Sequence, residues 1–228
     1  MFDFRIGRIT RSSEEFGTKA SSGGTKMAKR RKWILYRTLI AVALLCLSSA
    51  AWAGELADAA EKGDVKLVSE LLAKGENPND SKNGLTALIL TNSAPVAVAL
   101  IKAGADVNAK RANDGSTALI FAAFDGNFAK IKVLVESGAD VNAVTGQGYR
   151  PIFFPCMEWY PPKYSDATAL EVVTFLVDHK ADVNAAFNGA TARGMAASIG
   201  FVKVAQFLKD HGAKCSVASG LVMHNCSD

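Results

Sequence analysis

Apolar positions between residues 117 and 138 recur at helical spacing and predict two short helices. Leu119, Ala122 and Ala123 lie three or four positions apart, so they form one inward-facing side of the first helix. The small alanine side chains let a neighbouring element approach closely. We therefore expect a helix that starts at Thr117 and packs against others through its apolar side.

A second helix follows, because Gly126 turns the chain and further apolar residues come after it. Val133 and Leu134 are expected to face the core. Gly138 ends this helix, since glycine adopts the left-handed conformation that closes a helix more readily than other residues. The pattern predicts a compact helix-turn-helix unit.

The end of this unit is repeated along the chain. Gly-Ala-Asp-Val-Asn-Ala stands at residues 104–109 and 138–143, and a variant that begins with Lys stands at 180–185. Degenerate copies are found at residues 75–79 and 212–214. The first residues of successive copies are 29, 34, 42 and 32 positions apart, which scatter around 33. The Asp and Asn of each copy are expected to build a turn that leads to a protruding finger.

A second motif precedes each helical pair. Its copies are Thr86-Ala87-Leu88, Thr117-Ala118-Leu119, Arg150-Pro151-Ile152 and Thr191-Ala192-Arg193. Together the two motifs resemble the ankyrin-repeat family over residues 56–214. The resemblance implies an all-α solenoid of about five repeats, in which helix-turn-helix units carry β-hairpin fingers. It also implies a concave face, lined by finger tips and first helices, that binds proteins.

Two units depart from the regular length. In the second the Gly stands 18 positions after the Thr, where in the third it stands 21 positions after it, and the missing residues fall around Asn92 to Pro95. Its first helix or the following loop must therefore be shortened. The fourth unit is longer, with extra residues at 159–166 that include several aromatic residues. Because Pro161 and Pro162 cannot continue a helix, this insertion is predicted to be a loop.

The formal net charge of +4 over 228 residues is unevenly distributed. Residues 1–53 hold ten basic and three acidic residues, which leaves 16 basic and 19 acidic residues from Gly54 onward. The repeats are therefore mildly acidic and form no basic stripe, so we expect no binding to nucleic acid. The positive charge belongs to the segment that precedes the repeats.

That segment has the order of a secretory signal peptide. A basic run at residues 29–32 is followed by an apolar stretch at 39–47 and by Ala51-Trp52-Ala53, which predicts cleavage after Ala53. The apolar stretch is far shorter than the roughly 20 residues that span a bilayer, so no stable membrane span is expected after cleavage. The basic run also loosely matches a twin-arginine signal, so either of two export routes is open. We expect a periplasmic protein.

The chain is accordingly divided into four parts. Met27 stands directly before the basic run, so residues 1–26 are interpreted as a non-native or dispensable extension. The signal peptide covers residues 27–53, the repeats cover 54–214 and a C-terminal tail covers 215–228.

Residues for catalysis do not form a recognisable pattern. The sequence contains no Gly-rich phosphate loop, no G-x-S-x-G elbow and no H-E-x-x-H motif. His179 and His211 occupy the same position of their repeats, which favours a scaffold role or solvent exposure over catalysis. We therefore expect no enzymatic activity and no cofactor.

Three cysteines remain once the signal peptide is removed. In an oxidising compartment, Cys215 and Cys226 are the candidate disulfide, and Cys156 is expected to be a small buried thiol. A zinc site is the alternative, with His211, Cys215, His224 and Cys226 as its ligands. The compartment and the irregular spacing disfavour zinc, so no metal site is assigned.

The resemblance also implies which residues contact a partner. By repeat position, they lie on two fingers, on the first helices and in the insertion. They are Arg111, Asn113, Asp114, Gln147 and Tyr149 on the fingers, Phe124, Asp125, Met157 and Glu158 on the first helices, and Trp159, Tyr160 and Tyr164 in the insertion. Lys110 and Thr145 are further finger positions expected to be exposed. The aromatic rings of the insertion either pack on the fourth repeat or meet a partner.

The resulting hypothesis is a non-enzymatic module that binds an unidentified protein through its concave face and the fourth-repeat loop. The chain resembles small exported ankyrin-repeat proteins, of which some are associated with stress defence and others neutralise secreted toxins. An immunity or inhibitor protein is therefore the first alternative. A metal- or redox-binding protein is the weaker second alternative.

Overall fold

Short helices joined in pairs make up most of the described chain. The computed structural model describes residues 54–158 and 162–217. The first pair is α1 (residues 54–61) with α2 (Val65–Ala73). The later pairs are α3 (Ala87–Leu90) with α4 (Ala94–Lys102), α5 (Ala118–Asp125) with α6 (Phe128–Glu136), a 3₁₀ helix (Pro151–Cys156) with α7 (Asp166–Asp178), and α8 (Ala192–Ser198) with α9 (Val202–Asp210).

Threonine side chains start three of the first helices, as the sequence predicts. The hydroxyls of Thr86, Thr117 and Thr191 each accept a hydrogen bond from the amide three residues on, at 3.4, 3.4 and 3.3 Å. The fourth pair has Arg150 at this position, which makes no such cap, and it carries Pro151 and Pro155. Inside an α-helix the ring of Pro155 would clash with the carbonyl four residues earlier, which disfavours the α-helical form, and this first helix is a 3₁₀ helix.

The helices pack in two layers around a common core. In one layer α4 lies against α2 and α6, and in the other α5 lies against α3 and the 3₁₀ helix, which in turn contacts α8. Leu88, Leu119 and Ile152 occupy one position of three successive first helices and are buried. Leu134 is buried as predicted, whereas Val133 is half-buried and packs at the edge of the core. This mostly helical arrangement fits an all-α repeat solenoid.

Protruding fingers connect the helical pairs, and two of them are hairpins. The hairpins are β1 (Ser81–Lys82) with β2 (Leu85–Thr86) and β3 (Ala186–Phe187) with β4 (Ala190–Thr191). Each turns through an Asn-Gly pair with positive φ, of 55° and 76° in the first and 50° and 81° in the second. Residues 110–116 and 145–149 contain turns without strands, so the expected hairpin does not form in these two fingers.

Four asparagine side chains join each pair to the next, and we call each such contact an asparagine clasp. In every clasp the side-chain nitrogen donates to a carbonyl of the next turn, and the side-chain oxygen accepts from the amide two residues further on. The clasps join Asn79 to Gly104 and Asp106 (3.0 and 2.6 Å), Asn108 to Gly138 and Asp140 (3.1 and 2.8 Å), Asn142 to Lys180 and Asp182 (2.9 and 2.8 Å), and Asn184 to Gly212 and Lys214 (3.4 and 2.8 Å).

A buried lysine supplies hydrogen bonds to the shortened second unit. Its first helix, α3, has four residues where α5 has eight, so the clipped part is the helix itself. This leaves carbonyl groups without the partners that another helical turn would supply. Lys130 of α6 is fully buried, and its Nζ donates to the carbonyls of Ile89 and Thr91 at 3.3 and 2.6 Å.

The chain after α9 closes the last helical pair. Thr191 donates from its amide to the carbonyl of Ser216 at 3.0 Å and from its hydroxyl to that of Lys214 at 2.7 Å. A side-chain carbon at Gly194 would stand 1.8 Å from the Ser216 oxygen, so only glycine permits this approach. Residues 215–217 of the predicted tail therefore lie on the last pair.

Lys130 predicts a rise of stability with pH. Burial lowers its pKa to about 8, against an opposing effect of Asp125. The unfolded lysine keeps its proton until about pH 10.4, so between pH 8 and 10 the unfolded state binds more protons than the folded state and stability increases. Relative to Lys130→Met, the wild-type free energy of unfolding should rise by about 1 to 3 kcal/mol across this window.

Urea titrations of both proteins at pH 8 and pH 10 measure this difference. Cys156 and Tyr164 are present in both proteins, so their own ionisation cancels in the comparison. A difference that stays constant with pH would show that burial does not lower the pKa of Lys130.

Candidate functional site

The fingers and the first helices form a surface that we call the finger face. It comprises the fingers at residues 81–86, 110–116, 145–149 and 186–191 with α3, α5, the 3₁₀ helix and α8. Neighbouring fingers are tied directly where the amide of Gly146 donates to the carbonyl of Asp114 at 2.7 Å. This hydrogen bond fixes the backbone from which the side chains of these two fingers project.

The polar finger residues lie at the surface as expected. Arg111 and Asp114 form an ion pair at 3.7 Å, with about a third of each side chain exposed. Asn113 and Gln147 are exposed. Thr145 is buried, so its predicted exposure is wrong; its hydroxyl accepts from the amide of Tyr149 at 3.0 Å and holds the finger closed.

Four aromatic side chains run along the finger face, and we call them the aromatic row. From one end to the other they are Phe124, Phe154, Tyr149 and Phe187. Their ring centroids are 5.9, 5.8 and 4.2 Å apart, with an edge-to-face contact first and two stacked contacts after it. Phe124 is 37% exposed, whereas Tyr149 and Phe187 are half-buried and Phe154 is buried.

A lysine covers the exposed end of the aromatic row. The Nζ of Lys163 stands 3.4 Å from the centroid of the Phe124 ring, donates to the Phe124 carbonyl at 2.9 Å and lies 3.8 Å from the carboxylate of Asp125. This combines a cation–π contact with an ion pair. Phe124 and Asp125 are exposed as predicted, but both are engaged by the loop that precedes α7.

Tyr164 packs inward, so its prediction as a partner contact is corrected. Its side chain is 7% exposed, and its hydroxyl donates to the carbonyl of Ala123 on α5. Burial raises the pKa of this phenol, which stays neutral. This ring therefore packs against α5, where its hydroxyl has a hydrogen-bond partner. Trp159 and Tyr160 lie outside the described residues.

Met157 and Glu158 follow the 3₁₀ helix, and both reach the surface, with Met157 half-buried and Glu158 exposed. They line a groove that α8 borders on its other side. The sequence did not indicate Phe154, Phe187 or Lys163 as parts of the site. The only signal for Phe187 was its place in a finger, next to an Asn-Gly turn.

The cysteines and histidines take structural roles in the described chain. Cys156 is a free, fully buried thiol as predicted, and burial raises its pKa, which disfavours a redox role. Cys215 is disulfide-bonded, so it cannot supply the thiolate of the alternative zinc site. Its predicted partner Cys226 lies outside the described residues, as does His224. The Nδ1 atoms of His179 and His211 donate to carbonyls four residues earlier, both at 2.8 Å.

Within residues 54–158 and 162–217, no group of three or more His, Cys, Asp or Glu side chains is arranged to hold a metal ion. None of the helices in this part is long and apolar enough to cross a membrane.

Comparison with protein families agrees with the fold. The family model for ankyrin repeats, in three copies, matches residues 56–145. This part of the chain therefore consists of ankyrin repeats, a class of domain that typically mediates protein–protein interaction without catalysis. No curated protein matches the chain.

Proposed function

We propose that this chain is an exported, non-enzymatic ankyrin-repeat protein that binds another protein through its finger face. The observation that carries the proposal is the aromatic row, which lies along the finger face with polar finger residues beside it. Aromatic side chains that are partly exposed on a rigid surface are typical anchors of protein interfaces. The mildly acidic charge of the repeats argues against nucleic acid.

The proposal includes five repeats, two more than the family match covers. The asparagine clasps support this number, because those of Asn142 and Asn184 repeat beyond residue 145 the geometry of those within the match. The helical pairs of α7 and α9 supply the units that these clasps join. In this proposal the fourth repeat carries the insertion at 159–166.

Export to an oxidising compartment is part of the same proposal. The order of basic run, apolar stretch and Ala-Trp-Ala in residues 27–53 supports a cleaved signal peptide. The disulfide at Cys215 agrees with this, since disulfides persist mainly outside the reducing cytosol. A role in stress defence would place the partner in the same compartment.

Site-specific crosslinking tests the binding surface. A photo-reactive amino acid is placed at Gln147, which is exposed on a finger, and as a matched control at Glu136, which is exposed at the end of α6. In cells that produce the full chain, we expect light to form a protein adduct from position 147 and none from 136. The Phe124→Ser variant, checked for folding by circular dichroism, should lose the adduct. Equal adducts from both positions, or none from 147, would contradict the proposal.

Mass spectrometry of the purified protein tests export. Cleavage after Ala53 predicts a chain that begins at Gly54, recovered from the periplasmic fraction together with a bonded Cys215 and a free Cys156 thiol. An intact leader on protein from the cytoplasmic fraction would refute the export part of the proposal and leave the binding surface untouched.

A further inference from the structure

We propose that the groove between the 3₁₀ helix and α8 is the anchor site of the finger face, and that it takes an apolar side chain of the partner next to a Lys or Arg. This inference rests on the proposed binding function and specifies which kind of protein segment is bound. Its residues are Met157 and Glu158 on one side and Met195, Ser198 and Ile199 on the other.

The groove consists of two adjoining pockets. The smaller has a volume of about 300 Å³ and the larger about 650 Å³. They share Met157, Glu158, Ser198 and Ile199, so they form one continuous depression. Phe187 lines the smaller pocket, which places the end of the aromatic row at the wall of the groove.

The groove lies at the C-terminal ends of the 3₁₀ helix and α8. The 3₁₀ helix ends at Cys156 and α8 at Ser198, and the residues that follow them, Met157 and Glu158 on one side and Ile199 on the other, line the groove. The space is bordered by the thioethers of Met157 and Met195, which adapt to side chains of different shape.

Charge identifies the chemistry of the occupant. Two charged side chains line the described part of the groove, Glu158 in both pockets and Lys163 in the larger one. Lys163 is paired with Asp125, and Asp114 on the same face is paired with Arg111, whereas Glu158 forms no ion pair within the described chain. An unneutralised carboxylate at the rim of an apolar pocket is complementary to a basic group that enters beside an apolar one.

The two-part form of the groove suits an extended protein segment. The smaller pocket, of about 300 Å³, accommodates one large side chain. The adjoining pocket leaves room for the next residues of an extended segment. The aromatic row continues the apolar surface from the groove along the finger face.

Two synthetic peptides test the proposal on the full chain. One presents Leu-Arg within a Gly/Ser sequence, and the other is identical except for Leu-Glu. Binding is followed by the methyl resonances of Met157 and Met195, which Met→Leu variants assign. We expect the Leu-Arg peptide to shift both methyl signals and to bind about two- to fivefold more tightly than Leu-Glu, the size of an exposed ion pair.

Charge reversal provides the decisive comparison. In Glu158→Lys the preference should invert toward the Leu-Glu peptide, whereas the matched control Glu171→Lys, on the exposed side of α7, should keep the wild-type preference. Both residues are exposed, so neither change threatens the fold. No methyl shift with Leu-Arg at millimolar concentration, or the same preference in all three proteins, would overturn the anchor site. The crosslink from Gln147 would persist in that case if the broader binding function holds.

Discussion

The asparagine clasps fix the distance and the orientation between successive helical pairs, and the other features of the surface depend on that spacing. Each clasp uses both ends of one amide side chain to satisfy two backbone groups of the next turn. The clasp of Asn142 reaches Lys180 and Asp182 across the longest unit with the same geometry as the clasp of Asn108. The greater length of the fourth unit therefore leaves the spacing of the clasps unchanged.

Irregular units are stabilised by contacts from their neighbours. The shortened α3 ends in carbonyls that Lys130 of the next pair reaches. The start of α9 has no side-chain cap of its own, and the carboxylate of Asp166 on α7 accepts from the amides of Lys203 and Val204 instead. Because a neighbouring unit supplies the missing hydrogen-bond partner in both cases, the units depend on one another for stability.

The regular features of the fold could be read from the sequence, and the compensating contacts could not. Threonine caps, buried leucines and the turn asparagines recur at a fixed spacing, so a periodic pattern reveals them. Lys130 occurs once, and its burial depends on a helix that is missing in another unit, which no local pattern reports. The aromatic row joins side chains of three units, and the buried hydroxyl of Tyr164 donates to the carbonyl of Ala123, 41 positions earlier in the chain. Such contacts follow from packing between units.

The stability of an asparagine variant tests most directly whether the clasps hold the stack together. Asn108→Ala removes the bonds to Gly138 and Asp140, and we expect a loss of about 1 to 3 kcal/mol in the free energy of unfolding, together with faster hydrogen exchange of the Asp140 amide. The matched control is Asn113→Ala, which changes an exposed asparagine of the next finger and should stay within about 0.5 kcal/mol of the wild type. Equal stabilities of the two variants, with Asp140 exchange unchanged, would contradict the account.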